Sequence, residues 1–525
     1  MHSFDILFLH VPKFRNWYRP IDRFSFILYH PIGLLGLADY ARQNGFSSSI
    51  VDLGIEQGKN CAIDYEALIS RHGPLLVAIT LHWHFQAFDA IETARNLKKA
   101  APETRIVLGG FTASFFADEI MREFPEIDFI IQGDAEVPLV DLVRCIKEKR
   151  EFTHVPNLIY RSGKAVHCNS HTFTADESLL NRINYTDFSF IERCGEFVNQ
   201  PNFWVRVHGL SPRLHKALLG SSRMYPVYLG RGCLLNCSFC GGGRHAQRII
   251  NNRSGVILRS VENVVKSLID IHRVGFDGVS FCFDPLPSAE TDKFYLELFE
   301  DLRTKGIRLF VEFERWKLPS EPFIKAFKET FTSASFVMLS PYHPDESLRK
   351  KNNLFVYNNE QLESCLQLFE RYQVAVKLCF TMGLPFETEE SLKALHAYMK
   401  GIEKKYRFIQ CKVTLIEIEP CSDLSNNPEH YGISIHKKSF MDYYRYHSNP
   451  RGNHFQEMGY SDSGTLNAKK LSMFYCSHFC RIFKAGPLSP VLCFLVGLAW
   501  KAGIIRIVDG FLSPSNSKTA STSPN

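Results

Sequence analysis

The sequence has little net charge and no run of basic residues. Its 61 lysine and arginine residues exceed its 55 aspartate and glutamate residues by only +6 in formal charge. Proteins that bind nucleic acid concentrate positive charge in patches or tails, so we expect no nucleic-acid partner. A cysteine framework is also missing, because the 15 cysteines are scattered, and no signal peptide opens the sequence. We therefore expect a protein of the reducing cytoplasm.

Long apolar runs are absent as well. A helix that crosses a bilayer needs about 20 apolar residues, whereas the most apolar stretch, residues 488–500, is only thirteen residues long. We expect this stretch to form a buried or interfacial helix, which could bring the protein into peripheral contact with a membrane. Residues 513–525 contain few hydrophobic side chains, and we expect them to form a disordered tail.

The chain is long enough for two to four domains. Its 45% hydrophobic and 22% charged residues are normal for a globular protein with a sizeable core. In residues 1–150, short apolar runs alternate with amphipathic stretches, which is typical of a doubly wound parallel α/β sheet. The predicted strands are 5–11, 48–53, 75–80, 105–110 and 128–133. Residues 151–222 are interpreted as a hairpin followed by a linker.

A second alternation of strands and helices occupies residues 223–425. Its predicted strands are 225–230, 278–284, 308–314, 335–341, 375–383 and 412–420. Six β/α units make a partial version of the eight-unit barrel, in which functional residues lie at the carboxyl ends of the strands. Residues 426–512 are expected to form a mainly helical C-terminal region.

Three cysteines follow the first strand of this second domain. They are Cys233, Cys237 and Cys240, in the sequence Gly-Arg-Gly-Cys-Leu-Leu-Asn-Cys-Ser-Phe-Cys. Thiolates suit iron–sulfur clusters, zinc or copper(I). No second cysteine pair lies at the spacing that a structural zinc site usually has. A cubane iron–sulfur cluster normally takes four cysteines, so three would leave one iron open to a substrate.

The spacing Cys-x-x-x-Cys-x-x-Cys after a strand, with Phe239 before the last cysteine, resembles the signature of the radical S-adenosylmethionine (SAM) superfamily. The resemblance implies a [4Fe-4S] cluster on the three cysteines, with SAM chelated by the open iron. One electron from the cluster would then split SAM to a 5′-deoxyadenosyl radical. An electron donor such as flavodoxin or ferredoxin is implied as a partner.

The loops of the first domain suggest a second cofactor. No G-x-G-x-x-G motif follows the first strand, which argues against a dinucleotide. The loops instead resemble those of the cobalamin-binding domains joined to many radical SAM enzymes. The residues that this resemblance assigns to cobalamin are Thr80, His82, Gly109, Gly110 and Gly133. The usual Asp-x-His-x-x-Gly motif for a cobalt ligand is absent, so His82 and His84 could lie under the corrin, meet substrate or be polar loop tips.

Other strand ends of the barrel resemble SAM-binding elements of the same family. The sequence Gly383-Leu-Pro-Phe-Glu-Thr matches a turn that lies close to the adenosine. The Gly-Gly-Glu type motif for the methionine amine is absent, so Asp284 could replace it and Arg315 could bind the methionine carboxylate or the ribose. Structural roles for both remain open. The residues assigned to SAM are Phe239, Asp284, Arg315, Ser340, Gly383 and Pro385.

Together the resemblances imply a cobalamin-dependent radical SAM enzyme that functionalises an unactivated carbon, most often by methyl transfer. Three alternatives stay open: a radical cyclase, rearranging or oxidative enzyme without methyl transfer, a non-catalytic sensor that binds an iron–sulfur cluster and cobalamin, and a zinc-binding scaffold. The substrate is expected to be a small molecule or a lipid-like compound, since the apolar stretch at 488–500 faintly favours a hydrophobic one.

Overall fold

The computed structural model describes residues 4–13, 25–26, 30–56, 63–199, 206–207, 223–284, 288–448, 460–462, 471 and 474. The apolar stretch at 488–500, the tail at 513–525 and most of residues 200–222 lie outside the described residues, so the expectations about them stay predictions. In the part of the chain that is described, no helix is both long enough and apolar enough to cross a membrane.

The first domain is built on one mixed sheet. Its seven strands are β1 (Ile6–His10), β3 (Ser48–Asp52), β4 (Leu76–Thr80), β5 (Ile106–Gly109), β6 (Phe129–Ile131), β7 (Leu158–Ser162) and β8 (Ala165–Cys168). They lie in the order β3-β1-β4-β5-β6-β7-β8. Strands β1 and β3 to β6 pair in parallel, and the hairpin β7–β8 is added antiparallel at the edge. The short strands β2 (Ser25–Phe26) and β9 (Arg206–Val207) pair outside this sheet.

Strand β1 shows why the sheet is doubly wound. All five of its residues are buried, as expected for a parallel strand that is covered on both faces. Ile6 and Phe8 belong to one apolar core and Leu7 and Leu9 to another, because successive side chains point to opposite faces. The expected doubly wound first domain is therefore confirmed.

Helices cover both faces of this sheet. They are Ile32–Gln43, Leu53–Glu56, Tyr65–His72, Ala87–Ala100, Phe111–Phe115, Ala117–Glu123 and Glu136–Glu148. The strand order reverses between β1 and β4, and ligands of such sheets bind at that reversal, outside the carboxyl ends of the strands. The loop that follows Thr80 lies at this edge.

The described residues after the hairpin contain regular secondary structure. Two short helices, Glu177–Arg182 and Cys194–Val198, follow the hairpin. Asp187 binds Arg42 of the first domain at 2.7 Å. This part of the chain therefore packs on the first domain before the barrel begins.

The second domain is a six-stranded parallel sheet in sequential order. Its strands are β10 (Met224–Pro226), β13 (Gly278–Phe281), β14 (Phe310–Arg315), β15 (Phe336–Tyr342), β16 (Ala375–Met382) and β17 (Ile409–Leu415), and β11 (Gly230–Arg231) pairs antiparallel with β12 (Ile257–Leu258) beside it. Its helices are Arg244–Asn251, Val261–Val274, Ser288–Thr304, Glu321–Thr330, Glu346–Lys351, Asn359–Tyr372, Glu389–Lys405 and Asp423–Asn426. The predicted partial (β/α)6 barrel is confirmed.

Alternation along the barrel strands separates an inner face from an outer face. In β14, Val311 and Phe313 are buried against the helices, whereas Glu312 and Glu314 are half-buried on the other face. An apolar core that includes residues of both domains joins the two halves of the chain.

Beyond the barrel, the described C-terminal residues return to the first domain. The helix Phe440–Ser448 follows β18 (Ile433–Ile435), which pairs with β19 (Tyr460–Asp462). The backbone N–H of Phe440 donates to Glu119 Oε2 at 2.8 Å, and the hydroxyl of Tyr444 donates to Glu92 Oε1 at 2.7 Å.

Candidate functional site

A short hairpin carries the chain into the cysteine loop. Strand β11 ends at Arg231, and Gly232 follows with a φ of +98°. A Cβ on Gly232 would lie 2.2 Å from the carbonyl oxygen of Gly255, so glycine is required both for the conformation and for the close approach. The turn delivers Cys233, Cys237 and Cys240 to the carboxyl-end side of the barrel.

The three thiols lie in electrostatic contact, and none forms a disulfide. Burial, and to a smaller extent the neighbouring charge of Cys233, raise the pKa of Cys237 to about 11. Thiols held this close resist ionisation unless a cation compensates them, and a metal supplies that charge. Backbone N–H groups of Leu235 and Gly242 donate to the sulfurs of Cys233 and Cys240, each at 3.4 Å.

The donor set consists of three thiols on one loop. Within the described residues, no three His, Cys, Asp or Glu side chains converge on a position for one metal ion. A mononuclear zinc site would bring its sulfurs together around one centre, whereas a cubane takes each thiolate on a different iron. Three thiolates on one loop are the ligands that the expected iron–sulfur cluster would use.

A cleft of about 180 Å³ separates the two domains beside the cysteine loop. Its walls come from the loops after β4 and β5 on one side and from the barrel on the other. The lining residues are His82, Trp83, His84, Phe111, Thr112, Gly241, Gly242, Gln247, Ile250, Glu419 and Pro420. The two sets of loops therefore face each other across the cleft.

The first-domain wall is formed by His82 and aromatic neighbours. The His82 ring lies 5.2 Å from that of Phe111 and 4.8 Å from that of Trp83. The carbonyl oxygen of His82 accepts from the Thr112 hydroxyl at 2.9 Å, which fixes the loop. Although His82 is exposed to the cleft, the surrounding protein desolvates its ring and lowers its pKa to about 4. It is therefore neutral near pH 7, the form that can bind a metal.

The structure shows different surroundings for the residues that the resemblance assigns to cobalamin. Thr80 pairs in register with Gly109 at the ends of β4 and β5. A Cβ on Gly109 would meet no atom within 4 Å, so the backbone there is open to a ligand. At Gly110 a Cβ would lie 2.8 Å from the His82 backbone, so this glycine lets the His82 loop pack closely. Open backbone, a neutral histidine and aromatic rings at the cleft fit a cobalamin face.

The predicted contact between Gly133 and cobalamin does not agree with the position of this glycine in the structure. Its φ is +70°, and a Cβ there would lie 2.7 Å from the carbonyl oxygen of Ile250 in the barrel helix Arg244–Asn251. The barrel therefore occupies the space in front of Gly133, and the glycine serves contact between the domains.

On the barrel wall, Glu419 is a residue that sequence reasoning missed. Its Oε2 accepts from the backbone N–H of Gly241 at 2.6 Å, and its own N–H donates to the carbonyl oxygen of Phe239 at 3.0 Å. Burial raises the pKa of this carboxyl. The alternation Ile416-Glu-Ile-Glu419 after β17, with both isoleucines buried, is the signal that could have placed it in the cleft.

The turn assigned to the adenosine is held from three sides. Gly383 has a φ of +85°, and its N–H donates to Glu387 Oε2 at 2.5 Å. Its carbonyl oxygen accepts from the Tyr460 hydroxyl. The carbonyl oxygen of Pro385 accepts from the Asn352 side chain at 3.1 Å. Glu387 therefore folds back onto the turn, and the helix cap is Thr388 instead.

Asp284 and Arg315 do not point into the barrel, which corrects their assignment to SAM. Both side chains are 0% exposed, and Arg315 Nε binds Asp284 Oδ2 at 3.1 Å. The guanidinium lies over the Phe323 ring at 4.7 Å, on the helix-facing side of β14. The same carboxylate oxygen accepts from the backbone N–H of Trp316 at 2.8 Å. The pair stabilises the turn after β14.

Other side chains lie on the inner side of the barrel. Ser340 and Tyr342 alternate with buried residues along β15, and the ring of Phe239 lies 6.2 Å from that of Tyr342. Glu314 is the inward neighbour of Arg315, and burial raises its pKa. Lys317 follows the same strand, and its ammonium interacts electrostatically with Cys233. Glu314 and Lys317 are thus better placed than Asp284 and Arg315 to meet a molecule bound at the cysteine loop.

His84 differs from His82 in being buried. Its Nε2 lies 3.1 Å from Glu417 Oε1, and its Nδ1 lies 3.4 Å from Nε2 of His447. The first domain, the barrel and the C-terminal helix therefore meet at this imidazole. The interpretation of His84 as a polar loop tip is wrong.

Two family models match the chain where these sites lie. Residues 27–143 match the B12 binding domain, and residues 227–399 match the radical SAM superfamily. The chain carries a B12-binding domain followed by a radical SAM domain. Its resemblance to cobalamin-binding radical SAM enzymes is confirmed, together with the cofactor set of [4Fe-4S] cluster, SAM and cobalamin that these domains bring. The exact domain limits and the individual ligand residues stay predictions.

Three proteins with similar sequences are named as a methyltransferase, a cyclase and a methylase. An uncharacterised methyltransferase of Pyrococcus horikoshii is 22% identical over 381 residues, which is 72% of this chain and 74% of the relative. The anaerobic magnesium-protoporphyrin IX monomethyl ester cyclase of Cereibacter sphaeroides is 24% identical over 58% of this chain and 46% of its own length. The hopanoid C-3 methylase of Methylococcus capsulatus is 23% identical over 26% of each chain.

Two solved structures share the fold. TsrM of Kitasatospora setae, a radical SAM methyltransferase with cobalamin and a [4Fe-4S] cluster bound, gives a TM-score of 0.59 at 16% identity and covers 84% of this chain and 85% of TsrM. OxsB, a cobalamin-dependent SAM radical enzyme with aqua-cobalamin and SAM bound, gives 0.62 at 12% identity, with 94% of this chain and 70% of OxsB covered. At these identities the likeness shows the fold.

Proposed function

We propose that the chain is a cobalamin-dependent radical SAM enzyme that transfers a methyl group to an unactivated carbon of a small molecule. The observation that carries the proposal is the cleft, whose walls are His82 and Trp83 of the B12-binding domain and Gly241 and Glu419 beside the cysteine loop. A substrate in this cleft would contact both domains at once.

The chain's own residues have separable tasks in this proposal. Cys233, Cys237 and Cys240 would hold the cluster, and the turn at Gly383 and Pro385 would hold the adenosine. His82 and the open backbone at Gly109 would face cobalamin. When bound, the cofactors supply a carbon-centred radical and a methyl donor, while the protein supplies position and exclusion of water.

The substrate class follows from the walls of the cleft. Trp83 and Phe111 offer aromatic surface, and Glu419 offers a polar group on the opposite side. A compact molecule with an apolar body and a polar end suits such a cleft. Two of the relatives are named as acting by methylation, which supports methyl transfer over the alternatives.

The deciding experiment is anaerobic reconstitution with iron, sulfide and hydroxocobalamin, followed by turnover with SAM that carries a labelled methyl group. We expect about four irons per chain, corrin bands that persist through gel filtration, and label in a product. Label that ends only in methionine while 5′-deoxyadenosine accumulates and an unlabelled product forms would favour a cyclase or other radical enzyme, the class of the Cereibacter relative. Loss of the corrin bands, or no 5′-deoxyadenosine with any substrate tried, would contradict the proposal.

An electron donor and a cellular location complete the proposal. Reduction of the cluster needs one electron from outside the chain, and a flavodoxin or a ferredoxin would supply it. A cytoplasmic location suits such a donor, and membrane contact stays a prediction because residues 488–500 lie outside the described residues. Turnover driven by a purified flavodoxin and its reductase in place of dithionite would test this part.

A further inference from the structure

The turn after β6 forms an ion-paired contact with the strand that precedes the cysteine loop. Asp134 and Glu136 lie in the B12-binding domain, whereas Arg231 and Arg253 lie in the radical SAM domain. We call these four residues the interdomain clamp. Their side chains are 6%, 2%, 18% and 5% exposed, respectively, so all four charges are withdrawn from water.

Arg231 is the centre of the clamp. Its Nη1 lies 2.8 Å from Asp134 Oδ1 and 3.2 Å from Glu136 Oε2, and its Nη2 binds Glu136 Oε1. Its Nε donates to the Tyr228 hydroxyl at 2.6 Å, so every nitrogen of the guanidinium has a partner. A planar fork that binds carboxylates through two nitrogens fixes orientation as well as distance.

Arg253 holds the opposite side of the same carboxylate. Its Nη2 donates to Asp134 Oδ2 and also to the carbonyl oxygen of Ala175, the latter at 2.9 Å. The N–H of Ala175 donates back to Asp134 Oδ2 at 2.9 Å. Asp134 is therefore fixed by both domains and by the segment between them.

Arg231 lies immediately before the cysteine loop, so the clamp is connected directly to a predicted cluster ligand. Only Gly232 separates it from Cys233, and that glycine is packed too closely against Gly255 to accept a side chain. Gly133, directly before Asp134, is pressed in the same way against Ile250 of the barrel. A displacement of Arg231 would therefore be passed on to Cys233, because a single residue, packed directly against the Gly255 backbone, joins the two.

The apolar core already holds the domains together, so the clamp is not needed for their association. Hydrophobic contact is non-directional and tolerates small rotations and shifts. A radical reaction between two bound cofactors does not tolerate them, because reacting atoms must stay aligned within a few tenths of an ångström to about one ångström.

We propose that the interdomain clamp is a positioning device that sets the location of the cysteine loop relative to the cobalamin-facing loops, with Arg231 and Glu136 as its decisive pair. This inference rests on the proposed function, since it concerns the two cofactors of that cleft. None of the four clamp residues lines the cleft, so they act through Cys233 and through the turn after β6.

The test uses the full chain loaded with iron–sulfur cluster and cobalamin, and it needs no substrate. Both cofactors can be brought to paramagnetic states, the reduced cluster and cob(II)alamin. Their magnetic coupling, seen as splitting and faster relaxation in the electron paramagnetic resonance spectrum, reports how far apart they lie. The variants are Arg231→Lys, which keeps the charge and loses the fork, and Glu136→Gln, which keeps the shape and loses the charge.

A matched control is Asp277→Asn. Asp277 binds Arg223 through Nη2 at 2.8 Å and Nε at 3.1 Å, so the pair is also forked, but both residues belong to the barrel. We expect the wild type and the control to show one narrow coupling, and both clamp variants to show a weakened or broadened one at unchanged iron and cobalamin content. Gly133→Ala, which pushes the turn off the barrel without removing a charge, should have the same effect.

The outcomes distinguish a failure of the clamp's role from a failure of the proposed function. A wild type that loads no cobalamin or no cluster would overturn the proposed function and the clamp's role with it. A loaded wild type whose coupling is the same in Arg231→Lys and Glu136→Gln would overturn the clamp's role and leave the proposed function intact. An equal change in Asp277→Asn would also overturn it, since general loosening of the barrel would then explain the effect.

Discussion

The backbone N–H of Ser238 donates to the carbonyl oxygen of Asn352 at 3.1 Å, and so joins the cysteine loop to the end of the helix Glu346–Lys351. Ser238 follows Cys237 directly. The side chain of Asn352 donates in turn to the carbonyl oxygen of Pro385. One fully buried asparagine therefore connects the loop that would hold the cluster with the turn that would hold the adenosine.

Substitution of Asn352 by Asp should loosen this connection. The aspartate loses the donor to Pro385 and places an acceptor against a carbonyl oxygen, which leaves a buried polar group unsatisfied at a cost of about 1–3 kcal/mol. We expect a lower melting temperature and weaker SAM binding, measured by calorimetric titration, with iron content retained. Asn353→Asp, at the exposed neighbouring position, is the control and should change neither quantity. Equal SAM affinity in both variants would contradict the connection.

Replacement of any one of Cys233, Cys237 and Cys240 by alanine should abolish the cluster. Each thiolate takes one iron of the cubane, so a site with two ligands no longer retains it. Iron analysis and the cluster absorption of reconstituted protein provide the measurement. The matched control is Cys421→Ala, because this fourth cysteine is buried in a small apolar cluster with Ala246 and Ile250. Loss of iron in the control would show that Cys421 is also a ligand.

The first domain could be predicted from the sequence because its parallel strands are buried on both faces. β1 and β4 are continuous apolar runs, and their limits agree with the expected ones to within one or two residues. The prediction fails where an apolar pattern continues past the strand. β17 ends at Leu415, although the alternation continues through Ile416 and Ile418, because this segment leaves the sheet to place Glu419 in the cleft.

The site could be predicted as far as local patterns reach. The cysteine loop and the Gly383 turn are contiguous motifs. Arg315 was assigned to the wrong face, although its separation by two residues from the buried Phe313 already indicates the helix-facing side. The clamp could not be predicted, since Asp134 and Arg231 are 97 residues apart and no local pattern links them.

Asp284 and Arg315 should behave as a structural pair. Asp284→Asn leaves the fully buried guanidinium with less compensation, and removal of one partner of a buried pair typically costs about 3–5 kcal/mol. We expect a marked fall in the melting temperature, with the remaining folded protein binding SAM normally at low temperature. Glu148→Gln, which removes an exposed ion pair with Arg150, should cost well under 1 kcal/mol. A variant of Asp284 that is stable but binds no SAM would restore the sequence-based assignment.

His82→Ala should weaken cobalamin retention. The neutral ring of His82 lies in the cleft beside Trp83, and its removal takes away a polar and aromatic contact at the expected corrin face. The measurement is the corrin content that remains after gel filtration, together with the visible spectrum, which shifts if His82 ligates cobalt. His154→Ala, at an exposed position before β7 that does not line the cleft, is the control. Unchanged cobalamin retention and an unchanged spectrum would show that His82 does not contact cobalamin.

Glu387 should make stability depend on pH in a predictable direction. Burial raises the pKa of this carboxyl from its usual 4.5 to about 8. Because the folded protein holds a proton that the unfolded chain releases, the stability that this carboxyl contributes is fully present below about pH 4.5 and is lost as the pH rises through 8. The loss approaches about 1.4 kcal/mol per pH unit until the folded-state pKa is passed.

The variant Glu387→Gln keeps an acceptor for the N–H of Gly383 and removes the titration. Its melting temperature should stay level between pH 7 and 9, whereas that of the wild type falls. His343, 3.6 Å away, does not confuse this window, because its pKa is lowered to about 4 and the folded protein holds no proton there. The last protons that leave the unfolded imidazole above pH 7 make stability rise slightly, which is opposite to the fall expected from Glu387. Glu390→Gln, at an exposed position on the following helix, should keep the wild-type slope. Parallel slopes for the wild type and Glu387→Gln would show that the carboxyl is already ionised at pH 7, and the turn at Gly383 would then be held by a charge-assisted hydrogen bond.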